Sequence, residues 1–250
     1  MILDPYFYVV AVLSVFFHGM GKAGFGLGLP ILAIPLMSIF IPPLQALAIL
    51  VIPLIFMDLV TIRRFWSLWD LELVKSIIPL TLFGVIIGTI TYSFLSDNSI
   101  RIILGVIACG FGLEYFVNKS KKIVKSSKAA GTFWSTLAGF TSFTIHAGGL
   151  PLSFYLLPMR LDRRKYVATL AIVFLALNLF KMIPYAYFGQ INFENLLTSL
   201  LLLPLAPIGV YFGAYLTEIV SQEIFYSITH FCLILTGSKL IYDGLTIVST

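Results

Sequence analysis

The chain has 250 residues, 59% of them hydrophobic and 11% charged, with a mean hydropathy of +1.01 and a formal net charge of +5. A soluble fold must cover its exterior with polar groups, and 16 basic and 11 acidic side chains are too few. A soluble domain is therefore excluded, and long continuous apolar runs such as Leu196 to Leu205 favour membrane helices over the alternating strands of a barrel.

The N-terminal MILDPYFYVVAVL has neither the basic start nor the small-residue cleavage site of a signal peptide, so the first apolar segment is expected to stay in the mature protein. That segment, Tyr6 to Phe40, is too long for one straight span and is interrupted by the glycine-rich run from His18 to Pro30. Leu44 to Ile62, Leu73 to Leu95 and Ile100 to Val117 follow as spanning lengths. After a lysine-rich stretch, Thr132 to Leu157 is interrupted in the same way between Thr141 and Pro151. Tyr166 to Phe188, Leu196 to Leu216 and Ile224 to Val248 complete the set. Cys109 and Cys232 each lie inside an apolar run without metal-ligand spacing, so packing is their expected role.

Broken segments at corresponding places predict an internally repeated transporter. Gly28-Leu29-Pro30 matches Gly149-Leu150-Pro151, Asp58 falls opposite Asn178, and Pro79, Gly84 and Gly88 return as Pro204, Gly209 and Gly213 with the same internal spacing. The expected fold is all-α: a polytopic bundle of two inverted repeats, each a broken, re-entrant-like hairpin plus three spanning helices. Residues 1–118 form the first repeat, 119–130 a basic cytoplasmic linker and 131–250 the second.

The basic residues set the orientation. Arg63 and Arg64, the lysines from Lys119 to Lys128, and the group Arg160, Arg163, Arg164 and Lys165 share the cytoplasmic side only if each broken segment enters and leaves on one face. Both termini then lie outside, and the two hairpin tips approach the bilayer midplane from opposite faces. Freed backbone N–H groups and half-helix N-termini at such tips suit an anion. The alternative is that the glycines only permit tight helix crossings.

Ionisable groups inside spans cost about 2.5–3.5 kcal/mol each on the insertion scale, so each requires a reason. Lys22 lies in the first broken loop, and Lys181 follows Asn178 by one helical turn; both are candidates for an anionic head group. Asp58 is the candidate proton-coupling carboxylate, with a plain salt bridge, including one to Lys181, as the competing reading. His146 and Ser142 lie in the second broken loop as candidate donors, beside Thr141 and Thr144. His18 has the weaker claim because it precedes its loop, and Glu114 and Lys239 fall near segment ends. The proposed substrate-binding set is Lys22, Gly24, Gly26, Gly28, Ser142, His146, Gly148, Gly149, Asn178 and Lys181. No P-loop, H-E-x-x-H or dinucleotide spacing occurs, so an enzyme, a metal and a cofactor are not expected. Because the basic residues sit beside spans, nucleic acid is not expected either.

The box Gly21-Lys22-Ala23-Gly24-Phe25-Gly26-Leu27-Gly28 with Pro30 and Pro35, and its second copy with Ala138-Gly139-Phe140 and Gly148-Gly149-Leu150-Pro151 before Tyr155-Leu156-Leu157, resemble the sulfite exporter TauE/SafE family, also called the 4-toluene sulfonate uptake permeases. The resemblance implies a secondary transporter of sulfur-containing anions such as sulfite, thiosulfate, sulfoacetate or other organosulfonates. The expected partners are a small anion, the lipid bilayer of the inner membrane and a coupling proton, with homo-oligomerisation left open. An anion channel, a carrier of small organic carboxylates and a non-transporting membrane scaffold are the competing functions.

Overall fold

The computed structural model describes residues 2, 4–22, 29–94, 96–117, 127–156, 159, 161–219 and 222–246. Among them no strand occurs. The helices are α1 (Pro5–Lys22), α2 (Leu29–Met37), α3 (Pro43–Arg64), α4 (Leu71–Ser93), α5 (Asp97–Val117), α6 (Lys128–Ile145), α7 (Gly149–Leu156), α8 (Arg163–Tyr187), α9 (Phe193–Leu202), α10 (Leu205–Ile219) and α11 (Gln222–Thr246). A long helix with a short returning one, then long helices, is thus an order that occurs twice along the chain.

Short polar side chains set the helix starts. Asp70 accepts from the backbone N–H groups of Glu72 and Leu73 at 3.1 Å each, and Asp162 does the same for Arg164 and Lys165 at 2.9 and 3.3 Å. Ser127 and Asn192 cap α6 and α9 in the same manner. Proline inside a span frees the carbonyl four residues earlier, which must then find another donor. Pro53 in α3 releases the Ile49 carbonyl, and Ser199 Oγ of α9 takes it at 2.8 Å.

Among the described residues, four stretches are long and apolar enough to cross a membrane: Pro43–Arg64, Leu71–Ser93, Arg164–Tyr187 and Phe193–Tyr215. The third crossing helices expected in each half, α5 and α11, have 21 and 25 residues. The apolar stretch Leu196 to Leu216 falls within Phe193–Tyr215, which tightens locally at Leu203 and Pro204 between α9 and α10, with Leu203 N–H bonding Leu200 O at 3.3 Å and Ala206 N–H bonding Leu203 O at 3.1 Å. Pro204 cannot donate, and tighter turns replace the missing bond; its counterpart Pro79 passes within an unbroken α4.

The helices pair across long separations in the chain. α1 with α2 and α6 with α7 form hairpins, α4 packs on α6, α1 packs on α10, α3 crosses α8, and α5 lies along α11. Glycines permit the closest approaches. A Cβ on Gly139 of α6 would sit 1.8 Å from Thr81 O and one on Gly84 of α4 would sit 2.0 Å from Thr136 O. On the other side a Cβ on Gly19 of α1 would sit 2.8 Å from the backbone of Gly209 in α10.

Two contacts fix the ends of the bundle. Lys165 Nζ meets Asp70 Oδ2 at 2.7 Å, which brings the start of α8 to the end where α3 stops and α4 begins. Gln45 Nε2 donates to Asn195 Oδ1 at 2.9 Å, which brings the start of α3 beside the start of α9. α3 and α8 therefore run in opposite directions. The exterior carries exposed Phe83, Ile86, Ile90, Leu200, Ile208 and Tyr215, whereas Asp58, Lys181, His18 and Asn178 are buried at 0–2% exposure. An apolar exterior with a polar interior is the distribution required by hydrocarbon solvent, and the protein is an integral membrane protein.

Candidate functional site

The centre of the site is the crossing of α3 and α8. Asp58 projects from α3, and Asn178 Nδ2 donates to its Oδ2 at 2.7 Å. Lys22, the last residue of α1, forms an ion pair with the other carboxylate oxygen and lies 4.4 Å from the centroid of the Phe174 ring, so its charge is held by a carboxylate and by an aromatic face. Lys181 lies one turn beyond Asn178 on α8. Its ammonium donates to Ser142 O at 3.0 Å, Ser142 Oγ at 3.1 Å and His146 Nδ1 at 2.8 Å. All three are neutral acceptors, and among the described residues it contacts no carboxylate.

The tip of the second hairpin places His146. This residue ends α6 in the left-handed region at φ 53°, and Ala147 N–H closes the turn on Thr141 O at 3.2 Å. A non-glycine residue there is uncommon and marks a position fixed by its surroundings. Its Nε2–H donates to Leu47 O of α3 at 3.0 Å, leaving Nδ1 as the acceptor for Lys181. The rings of His18 and His146 meet edge to face with centroids 6.1 Å apart.

These groups border a cavity of about 60 Å3. Its polar wall comprises His18, Lys22, Ser142, His146, Asn178 and Lys181, and its apolar wall includes Leu54, Leu170 and Phe174. The wall continues down α8 to Tyr166, toward the end that carries Lys165. The opposite end is filled by aromatic rings. Phe143 stacks on Tyr185 at 5.4 Å, the Tyr185 hydroxyl donates to Phe143 O at 3.1 Å, and Tyr92 bridges Phe143 and Phe188.

Of the residues singled out from sequence, Lys22, Ser142, His146, Gly149, Asn178 and Lys181 border this cavity, and Asp58 stands behind Lys22 and Asn178. The expected competitor, a Lys181–Asp58 ion pair, is replaced by Lys22–Asp58. Gly148 has a packing role instead: a Cβ there would lie 2.7 Å from Ala138 O and 3.0 Å from Phe174. Thr141 and Thr144 do not offer their hydroxyls to a ligand, because they donate to Leu137 O at 2.9 Å and Phe140 O at 3.1 Å within α6. Gly24, Gly26 and Gly28 lie outside the described residues, as does the side chain of Glu114. Lys239 is accounted for by Asp243, 2.6 Å away on the next turn. Sequence reasoning undervalued His18 and missed Phe174. The signal for His18 was its spacing, one helical turn before Lys22 and so on the same face.

The family model described as Sulfite exporter TauE/SafE matches residues 11–240. No curated protein and no solved structure matches the chain.

Proposed function

This chain belongs to the sulfite exporter TauE/SafE family, and from that premise we propose that it carries a small sulfur oxyanion across the membrane by alternating access. The family is one of membrane transporters of sulfur anions, not of enzymes. The observation that carries the reading for this chain is the charge count at the α3–α8 crossing. Lys22 and Asp58 cancel, while Lys181 is fully buried with neutral acceptors alone. An isolated buried cation is costly, and an anion in the adjoining cavity offsets that cost.

Size narrows the substrate. A water needs about 10–15 Å3 of such space, so a cavity of about 60 Å3 holds roughly four to six waters or one compact oxyanion. Sulfite and thiosulfate fit this description.

Residues 1–118 and 131–250 are read as inverted halves, supported by the opposed directions of α3 and α8 and by the reciprocal packing of α1 on α10 and α4 on α6. In this reading both termini face outside, the cavity leads to the cytoplasmic end through the wall from Asn178 to Tyr166, and the Tyr92, Phe143, Tyr185 and Phe188 rings close the outer end. Rocking of the halves about the Asp58–Asn178 contact exchanges the open end, with Asp58 as the coupling carboxylate. Saturable, counterflow-stimulated uptake of labelled sulfite or thiosulfate into proteoliposomes is expected. Unitary currents without saturation would establish a channel instead.

A further inference from the structure

We propose that the end of α3 carries a binding site for an anionic phospholipid, with Arg63 and Arg64 taking its phosphate and Tyr211 of α10 holding Arg64 in place. The site lies apart from the cavity and does not depend on which anion the cavity takes.

Arg63 and Arg64 close the last turn of α3, and both are exposed. Among the described residues neither meets a carboxylate. Asp70, six positions on, is held by Lys165, and Asp162 is spent on capping α8. The Arg64 guanidinium lies instead against two rings, 5.8 Å from the centroid of Phe65 and 5.5 Å from that of Tyr211. Aromatic faces hold the guanidinium while leaving its N–H edges free to donate, and such edges match the oxygens of a phosphate. The C-terminal dipole of α3 favours cations at this place but engages none of those N–H groups.

The neighbouring surface suits the rest of a phospholipid. Leu59 and Phe56 are exposed one and two turns before Arg63, on its face of α3 and about 6 and 10 Å farther into the span. On α10, which packs against α3, Ile208 and Tyr215 are exposed one turn to either side of Tyr211. An acyl chain laid along Phe56 and Leu59 brings its phosphate to the arginines. Beyond them the chain turns sharply, with Ser67 at φ 60° and Leu68 N–H bonding Phe65 O at 3.2 Å. This turn displays Trp66, 69% exposed, and braces it edge to face against Trp69 at 5.4 Å. Indole and phenol rings partition to the headgroup layer, so the two arginines lie at the depth of lipid phosphates.

Charge selects the lipid class. Two arginines without carboxylates leave two positive charges on this patch. A zwitterionic headgroup brings its own ammonium, which the arginines repel, whereas an anionic headgroup brings net negative charge. Arg64 and Tyr211 stand on helices far apart in the chain, so the lipid held there bridges the α3–α10 contact.

The test uses the purified full-length chain in detergent, titrated with phosphatidylglycerol and phosphatidylcholine of the same acyl chains and read by native mass spectrometry. The wild type is expected to prefer phosphatidylglycerol about thirtyfold, roughly fivefold for each arginine. Arg63→Gln/Arg64→Gln is expected to erase that preference, and each single variant to remove about fivefold. Lys75→Gln removes an exposed cation from α4, which packs on α6 and α8, and is expected to leave the preference unchanged. Equal binding of the two lipids by the wild type overturns the proposal, and this arm needs no variant. An Arg63→Gln/Arg64→Gln protein with the wild-type preference overturns it as well. So does a loss in Lys75→Gln equal to that of a single arginine variant, because the attraction is then diffuse. Millimolar inorganic phosphate is expected to leave the lipid bound; displacement of the lipid would assign the arginines to a free anion instead.

Discussion

Asn178 donates to Asp58 across 2.7 Å, which joins two residues 120 positions apart that stand at matching places in the proposed repeat. In that proposed repeat the contact is one position meeting itself, with a carboxylate in one copy and an amide in the other. Two carboxylates at this distance would repel, whereas the Asp–Asn pair leaves a single negative charge for Lys22 to balance. The asymmetry leaves Lys181 without a carboxylate partner among the described residues.

Asp58→Asn is expected to lower stability by about 3 kcal/mol, because it removes one partner of a buried ion pair. The exchanged variant Asp58→Asn/Asn178→Asp returns a carboxylate to the same contact and is expected to regain most of that loss. Thermal unfolding in detergent measures both. A double variant no more stable than Asp58→Asn alone would show that the contact is not interchangeable between the halves.

The glycines at the α4–α6 crossing admit no side chain. Gly139→Ala and Gly84→Ala are each expected to cost about 1–3 kcal/mol by overpacking, since the added carbon would fall 1.8 and 2.0 Å from backbone oxygens. Gly110→Ala, where nothing lies within 4 Å, serves as the neutral control. Equal melting temperatures for all three would contradict the packing described.

Where α8 begins beside α4, the Lys165 ammonium holds the Asp70 carboxyl below the usual carboxylate range, assisted by the backbone N–H of Leu73. A carboxyl with a depressed folded-state pKa stabilises the fold above its unfolded pKa, about 3.9, and that contribution disappears as pH falls through the lower folded value. Wild type should therefore lose stability below about pH 4 more steeply than Asp70→Asn. Parallel acid-unfolding curves would remove Asp70 from the account.

The Lys165–Asp70 and Gln45–Asn195 contacts mark the two ends of the bundle, and the proposed sidedness puts the first in the cytoplasm. In a background with Cys109 and Cys232 replaced, single cysteines at Arg64 and Arg164 should react only with a reagent admitted to the cytoplasmic face. A cysteine at Glu194 should react from outside. Labelling of the first two positions from opposite faces would refute the inverted arrangement.

Much of the architecture could be read from hydropathy and glycine, because a bilayer allows only helices and requires a sheltered site wherever a helix breaks. The breaks themselves are shorter than the sequence suggests. α6 continues to Ile145 through Thr141, Ser142 and Thr144, since Thr141 and Thr144 return their hydroxyls to carbonyls of the same helix and leave no backbone group to satisfy elsewhere. Lys22 and Lys181 were legible from the cost of burying them. Their partners were not, because the choice between Lys22 and Lys181 for Asp58 depends on how α1 seats against α10 at Gly19 and Gly209, a contact between distant parts of the chain. The same limit hid Phe174, whose place beneath Lys22 leaves no mark in composition or spacing.

The central claim is that one uncompensated buried positive charge binds a small sulfur oxyanion. Its most direct test is calorimetric titration of the purified protein with sulfite and with thiosulfate, beside Lys181→Met. Saturable binding by the wild type, weakened at least about tenfold in the variant by loss of the charged partner, is the predicted result. No binding of either anion by the folded wild type, or equal affinity in the variant, would contradict it.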